Sequence, residues 1–201
     1  MAGDGARVPF VGLTGGIAAG KSEALNALER LGAATLSSDD VVRELLTTGD
    51  IRDELVEKLG DEVAPDGEVD RGKVAEHVFG DDERRKWIEG LLWPRVGQRI
   101  HEWRTELDAR DDPPRAAVVE VPLLFESGME SGFDATIAVV ADESVREERA
   151  GARGHVGVAS RTARQLTQEE KSQRADYTVR NDGTLDELER KLSAVLGKIG
   201  A

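Results

Sequence analysis

Residues 15–22 of the chain read GGIAAGKS, a stretch that matches the phosphate-binding pattern G-x-x-x-x-G-K-[ST]. An apolar run at residues 7–13 predicts a buried strand before this stretch, and leucines at helical spacing in residues 22–31 predict a helix after it. In such a strand–loop–helix setting, glycines let backbone N–H groups curl around phosphate oxygens at the helix start. The alternative interpretation is a glycine-rich turn before a helix. We expect a P-loop that binds the phosphates of a nucleotide.

The residue types at the end of the loop have defined roles in this chemistry. Lys21 is expected to reach the β- and γ-phosphates and to act in catalysis, and the Ser22 hydroxyl is expected to ligate Mg²⁺. Backbone N–H groups are expected to supply the other contacts. The loop residues assigned to ATP binding are Gly15, Gly16, Ile17, Ala18, Ala19, Gly20, Lys21 and Ser22.

Composition narrows the class of protein. The chain has 201 residues, 39% of them apolar, and a net charge of −13, which argues against nucleic acid or an anionic membrane as a partner. It has no cysteine, so disulfides and thiolate chemistry are excluded. No apolar run approaches the ~20 residues of a membrane span, and residues 1–7 do not resemble a targeting peptide. These features are typical of a cytoplasmic enzyme, and we expect a monomer or a weak homo-oligomer.

The apolar pattern predicts the fold class. Further strands are expected at residues 33–36, 116–121, 135–140 and 177–179, with helices between them. Continuous apolar strands are buried on both faces, so we expect a five-stranded parallel sheet in a three-layer α/β/α P-loop NTPase core. Residues 41–108 show only helical patterns, including a helix at 82–108 interrupted near Pro94. We interpret this region as a helical insertion that binds the substrate.

Two acids are expected at the carboxyl ends of strands, where ligands bind in open α/β sheets. Asp39 follows the second strand and could accept a proton from an attacking hydroxyl or orient it. The alternative for Asp39 is a helix N-cap, and a capping box of Ser37 with Asp40 is also possible in this stretch; Asp40 is the rival for the catalytic role. Glu120 ends the third strand and could hold the Mg²⁺ shell through water, or it could be an ordinary surface acid.

Positive charge is concentrated near the end of an otherwise acidic chain. Residues 146–174 contain more cations than acids; the cations are Arg146, Arg149, Arg153, Arg161, Arg164, Lys171 and Arg174. Two short helices joined by a glycine-rich loop are expected here, and we interpret them as a small helical lid that closes over ATP. Arg153 and Arg161 are the candidate catalytic arginines. The alternative is a solvated helix pair with ion pairs along its surface.

Several motifs, taken in order along the chain, resemble those of the dephospho-CoA kinase family, a group of P-loop proteins similar to nucleoside monophosphate kinases. They are GLTGGI at residues 12–17, PDG at 65–67, DR at 70–71, VPLLFE at 121–126, Gln165, EK at 170–171, RADY at 174–177 and NDG at 181–183. The resemblance implies ATP-dependent phosphorylation of the ribose 3′-hydroxyl of dephospho-CoA, the final step of coenzyme A biosynthesis. It also implies ATP and dephospho-CoA as substrates, Mg²⁺ as cofactor, and Glu23 and Asn181 in the nucleotide site.

The resemblance further implies a division of the chain. The nucleotide-binding core would comprise residues 7–40, 115–145 and 172–201. Residues 41–114 would form the helical domain that binds dephospho-CoA, and residues 146–171 would form the lid.

The chain departs from the family pattern at five places. The usual Asp-Ala-Asp after the second strand is Ser37-Ser38-Asp39, and the usual Gly-Ser in the loop is Ala18-Ala19. Glu23 replaces a common Thr, Trp93-Pro94 replaces His-Pro, and Glu120 stands where Asp is more common.

These departures leave two alternatives open beside the leading hypothesis. The presence of Trp93 in place of His leaves open a kinase with a different small-molecule acceptor. The presence of Ser37 in place of Asp leaves open an ATP-binding protein with weak activity. A regulatory P-loop GTPase is disfavoured because the chain lacks the Asn-Lys-x-Asp motif that reads guanine.

Overall fold

The computed structural model of the protein describes residues 7–152 and 165–200. Contacts within the chain divide it into two compact units. The division falls between Ser37 and Ser38 and again between Trp103 and Arg104, so that the first unit contains both ends of the chain. In the described part of the chain, no helix is both long enough and apolar enough to span a membrane.

The first unit is built on a five-stranded parallel sheet, as predicted. Its strands are β1 (Phe10–Gly15), β2 (Ala34–Ser37), β3 (Ala117–Glu120), β4 (Ala135–Val140) and β5 (Tyr177–Arg180). The strands lie in the order β2-β3-β1-β4-β5, with β1 in the centre between β3 and β4. Every residue of β1, β3 and β4 is buried, which explains their continuous apolar sequences.

Helices cover this sheet and complete the three-layer α/β/α fold. They are α1 (Lys21–Arg30), α6 (Glu143–Ala152), α7 (Gln168–Arg174) and α8 (Leu185–Ile199). Helices α1 and α8 share one apolar core with the sheet, to which they contribute Leu28 and Leu192. Thr167 with Glu170 and Thr184 with Glu187 have the sequence spacing that is typical of a capping box, and both boxes are present at the starts of α7 and α8.

The second unit is helical, and its helices are those that the sequence pattern predicted. It contains α2 (Ser38–Leu45), α3 (Gly49–Leu59), α4 (Arg71–Val78) and the larger part of α5 (Asp82–Asp108). Its core is formed by apolar side chains at helical spacing, among them Ile51, Leu55 and Leu91. Asp70 begins α4 and accepts hydrogen bonds from the Gly72 and Lys73 N–H groups at 2.8 and 3.2 Å.

Two elements differ from the sequence prediction. The first strand begins at Phe10 rather than at residue 7, because Pro9 has no N–H to donate to a neighbouring strand, although its carbonyl accepts from Ala117 at 2.8 Å. The predicted interruption near Pro94 is wrong, because α5 continues through it. Pro94 has no N–H to donate to the Gly90 carbonyl, and in the same turn Arg95 Nη1 donates to the neighbouring Leu91 carbonyl at 2.8 Å.

Candidate active site

The loop between β1 and α1 has the conformation of a phosphate cradle. Ala18 and Gly20 adopt left-handed backbone angles, with φ of 59° and 94°. A side chain at Gly20 would overlap the amide of Asn181, so the loop tolerates only glycine there. Ala18 is the one residue other than glycine with positive φ in the described part of the chain.

Backbone donors of this loop are free to bind an anion. The backbone N–H groups of five loop residues donate no hydrogen bond to any acceptor in residues 7–152 and 165–200; these residues are Ile17, Ala18, Gly20, Lys21 and Ser22. The Ala19 N–H, in contrast, donates to the Gly16 carbonyl at 3.2 Å. Successive unpaired N–H groups at a helix start form a site of positive potential. The loop therefore fits the phosphates of a nucleotide.

Glu120 contacts both Lys21 and Ser37 beside the loop. The Lys21 Nζ atom donates to the carbonyls of Gly15 and Gly16, each at 3.4 Å, and lies 3.9 Å from Glu120 Oε1. Ser37 and Glu120 are partners in the pairing of β2 with β3, and the Ser37 hydroxyl donates to Glu120 Oε2 at 3.2 Å. Glu120 is only 7% exposed, so it is not an ordinary surface acid.

The side-chain oxygen atoms near Lys21 suit a magnesium ion that also contacts phosphate. Ser22 is exposed at the first turn of α1 and offers a hydroxyl oxygen, while Glu120 offers carboxylate oxygens at the end of β3. Mg²⁺ is commonly held by one or two such oxygens, with waters and substrate phosphates in its remaining positions.

Asn181 supports the loop from the end of β5. Its side-chain amide donates to the Ala19 carbonyl at 2.9 Å, and its backbone N–H donates to the Val140 carbonyl at 2.8 Å. The side chain is buried, and this hydrogen bond connects the middle of the loop to the residue that follows β5. The structure thus places Asn181 directly against the predicted nucleotide loop.

Two arginines of α6 lie next to the loop, and sequence reasoning did not single them out from the other cations. Arg149 Nη1 donates to the Asn181 carbonyl at 3.0 Å. Arg146 Nη1 lies 3.7 Å from the position that a Cβ would take at Gly16. The Arg146 Nε atom is buried and has no acceptor among the described residues. Their separation of three residues, which puts both on one helical face, was the signal that could have identified them.

Two of the remaining candidates belong to the helical unit. Asp39 is exposed in the first turn of α2, and Trp93 is 48% exposed on α5; both belong to the second unit. Because α2 begins at Ser38, Asp39 lies inside the helix and not at an N-cap. Asp40 forms an ion pair with Arg43. Arg153 and Arg161 lie outside the described residues.

Comparison with known proteins gives a consistent result over nearly the whole chain. The family model for dephospho-CoA kinase matches residues 9–187. A dephospho-CoA kinase from Protochlamydia amoebophila is 35% identical over 187 residues, which cover 90% of this chain and 92% of that protein.

Two solved structures extend the comparison to the fold. A protein from Thermus thermophilus superimposes with a TM-score of 0.78 at 33% identity, covering 96% of this chain and 98% of that one. A dephospho-CoA kinase from Campylobacter jejuni superimposes with a TM-score of 0.66 at 23% identity over 96% of this chain and 98% of its own, which supports the fold.

Proposed function

The chain belongs to the dephospho-CoA kinase family, and we propose that it transfers the γ-phosphoryl group of ATP to the ribose 3′-hydroxyl of dephospho-CoA. This reaction completes coenzyme A synthesis. The observation that carries the proposal is the family match across residues 9–187, which includes the loop and the VPLLFE and RADY motifs. The geometry of the loop supports the donor half of the reaction independently.

On the donor side, the protein binds and orients a triphosphate. The unpaired N–H groups of the loop contact phosphate oxygens, and Lys21 turns from the Gly15 and Gly16 carbonyls toward the β- and γ-phosphates. Mg²⁺, when bound, neutralises phosphate charge, and Ser22 and Glu120 are the residues that would hold it. Ser37 keeps the Glu120 carboxylate oriented through its hydroxyl.

On the acceptor side, Asp39 takes the proton of the 3′-hydroxyl as the hydroxyl oxygen attacks the γ-phosphorus and ADP leaves. Residues 41–114 hold dephospho-CoA; the helical structure of this region supports that assignment. The nucleotide is held by the core of residues 7–40, 115–145 and 172–201. Residues 146–171 form the lid, where Arg153 and Arg161 offset charge on the transferring group. The positions of Arg146 and Arg149 beside the loop support a cationic lid.

The direct test is an assay with ATP, Mg²⁺ and dephospho-CoA, in which coenzyme A and ADP are measured by chromatography. We expect the two products in equal amounts, and both should depend on dephospho-CoA. The controls are parallel reactions with adenosine and with coenzyme A, whose 3′-hydroxyl is already phosphorylated. Neither compound should yield a phosphorylated product at a comparable rate.

Folded protein that binds ATP but forms no coenzyme A would overturn the proposal. Transfer to another hydroxyl compound under these conditions would favour the kinase with a different acceptor, the alternative that Trp93 raised.

A further inference from the structure

Lys171 is a fully buried lysine that the mechanism above does not use. It lies on α7, and its side chain is 0% exposed. Its Nζ atom lies 3.1 Å from Glu126 Oε1, 2.5 Å from the Pro122 carbonyl oxygen and 3.5 Å from Thr14 Oγ1. Three acceptors around one ammonium group match its three N–H donors.

The partners of Lys171 lie in segments that flank the nucleotide loop. Thr14 is the residue before Gly15 and donates its own hydroxyl to the Pro122 carbonyl at 3.3 Å. Pro122 and Glu126 belong to the turn that follows Glu120 at the end of β3. Glu126 Oε1 also accepts from the Leu166 N–H at 2.8 Å, where the described chain leads into α7. One buried ion pair therefore joins the start of the loop, the turn after Glu120 and the segment at Leu166 that precedes α7.

Burial of this pair carries an energetic cost. Removal from water lowers the pKa of Lys171, and the hydrogen bond and charge of Glu126 oppose that shift. The Glu126 Oε2 atom is also buried, with no hydrogen-bond partner among the described residues. Replacement of a buried ion pair by an apolar pair of similar volume is often neutral or stabilising, so a buried ion pair is weak evidence for a contribution to stability.

We propose that Lys171 and Glu126 are positioning residues for phosphoryl transfer: the pair holds Leu166 and the start of α7 in a fixed position relative to the nucleotide loop, through Thr14 and Pro122. The inference rests on the proposed function. Neither residue touches a substrate. They act through the groups that they hold, because a displacement of about 1 Å in a catalytic arrangement costs on the order of 100-fold in rate.

The first test is the double variant Lys171→Met with Glu126→Gln, which removes both charges at nearly constant volume and leaves neither unpaired. We expect a cooperative unfolding transition, an ATP dissociation constant within about threefold of wild type, and a kcat at least about tenfold lower. An unchanged kcat overturns the proposal, and so does a kcat loss that is matched by an equal loss of ATP affinity.

The second test restores the charge chemically. The chain has no cysteine, so Lys171→Cys can be alkylated with 2-bromoethylamine in denaturant and refolded, giving a lysine analogue at this position alone. We expect kcat to recover most of its loss after aminoethylation but not after treatment with iodoethane, which adds similar bulk without charge. Wild-type protein taken through the same steps is the control. Equal recovery with iodoethane overturns the proposal, because packing alone would then suffice.

A third measurement does not depend on the acceptor or on catalysis. In the same double variant, which leaves no buried charge without a partner, we expect faster amide hydrogen exchange at Leu166 and through α7, with exchange in β1 and β4 unchanged. Unchanged exchange at Leu166 overturns the positioning role even if refolding of other variants fails. If wild-type protein does not phosphorylate dephospho-CoA while this exchange result holds, the proposed function fails and the Glu126 contact to Leu166 is upheld.

Discussion

At the level of single residues, the two acids expected to carry chemistry have different surroundings. Glu120 is buried at the end of β3, where Lys21 and Ser37 contact its two oxygens. Asp39 is exposed on the first turn of α2, so its carboxylate is accessible to a hydroxyl group. A buried and paired acid suits a constant role in holding charge, and an exposed acid suits contact with a substrate that enters and leaves.

Asp39→Asn therefore tests the acceptor side of the mechanism. We expect kcat to fall by about 100- to 10,000-fold, because the amide cannot accept the proton of the 3′-hydroxyl, while the ATP dissociation constant stays within about threefold. Steady-state kinetics and calorimetric titration with ATP measure the two effects separately.

The matched control is Asp40→Asn. Asp40 is the neighbouring acid, and its surface ion pair with Arg43 contributes little to stability, so its kcat should stay within about twofold of wild type. If Asp40→Asn loses as much activity as Asp39→Asn, the roles of the two acids have been assigned wrongly.

At the level of secondary structure, helix ends were easier to predict than helix interiors. Thr167 and Thr184 cap their helices as the spacing of Thr and Glu indicated, and the hydrogen bonds from Thr167 lower the pKa of Glu170. Helix α5 instead continues through Pro94, although Gly90 and Gly97 also lie within it. Its buried residues, such as Leu91 and Val96, stabilise the helix through packing, which outweighs local propensity.

Gly97 and Gly80 allow a comparison of glycines that differ in backbone conformation. A Cβ at either position would meet nothing within 4 Å, but Gly97 is helical and Gly80 has φ of 78°. We expect Gly97→Ala to raise the free energy of unfolding by about 0.5–1 kcal/mol, and Gly80→Ala to lower it by about 1 kcal/mol. Urea denaturation followed by circular dichroism measures both. A stability change of the same sign in the two variants would contradict this account.

For the whole molecule, the nucleotide loop belongs to one of the two units. It lies between β1 and α1 of the first unit, and the second unit has its own apolar core around Ile51 and Leu55. A ligand that binds only the native first unit stabilises that unit by mass action. Ligand-dependent unfolding thus reports on the site without any assumption about the acceptor.

Saturating Mg²⁺-ATP should raise the melting temperature of the protein. At about 100 times the dissociation constant the stabilisation is about 2.7 kcal/mol, or roughly 5–10 °C for a chain of this size. Differential scanning calorimetry with and without EDTA measures the shift and its dependence on Mg²⁺. In Lys21→Met, which removes a cation of the loop, we expect less than about half of the shift; an equal shift in that variant would place ATP elsewhere.

Local sequence was enough to predict the nucleotide loop, the five strands, the capping boxes of α7 and α8 and the helical region, because each depends on neighbouring residues: glycine conformation, apolar periodicity or the reach of a side chain over one turn. The start of β1 at Phe10 also follows from a local feature, the missing N–H of Pro9. The path of α5 through Pro94 was not predictable in this way, because it depends on packing against distant residues. The possible box of Ser37 with Asp40 is not formed, because the Ser37 hydroxyl donates to Glu120 on the neighbouring strand.

Contacts between distant segments were decided only by the tertiary structure. The strand order brings Ser37, 83 residues away in sequence, against Glu120 and gives this serine a role that its replacement of Asp had obscured. The fold also places Arg146 near Gly16 and buries Lys171 with Glu126, next to Thr14 at the start of the loop. The order of residues specifies which chemical groups the chain carries and which turns they form. Only the folded sheet decides which of these groups meet, because strand pairing and burial depend on the whole core.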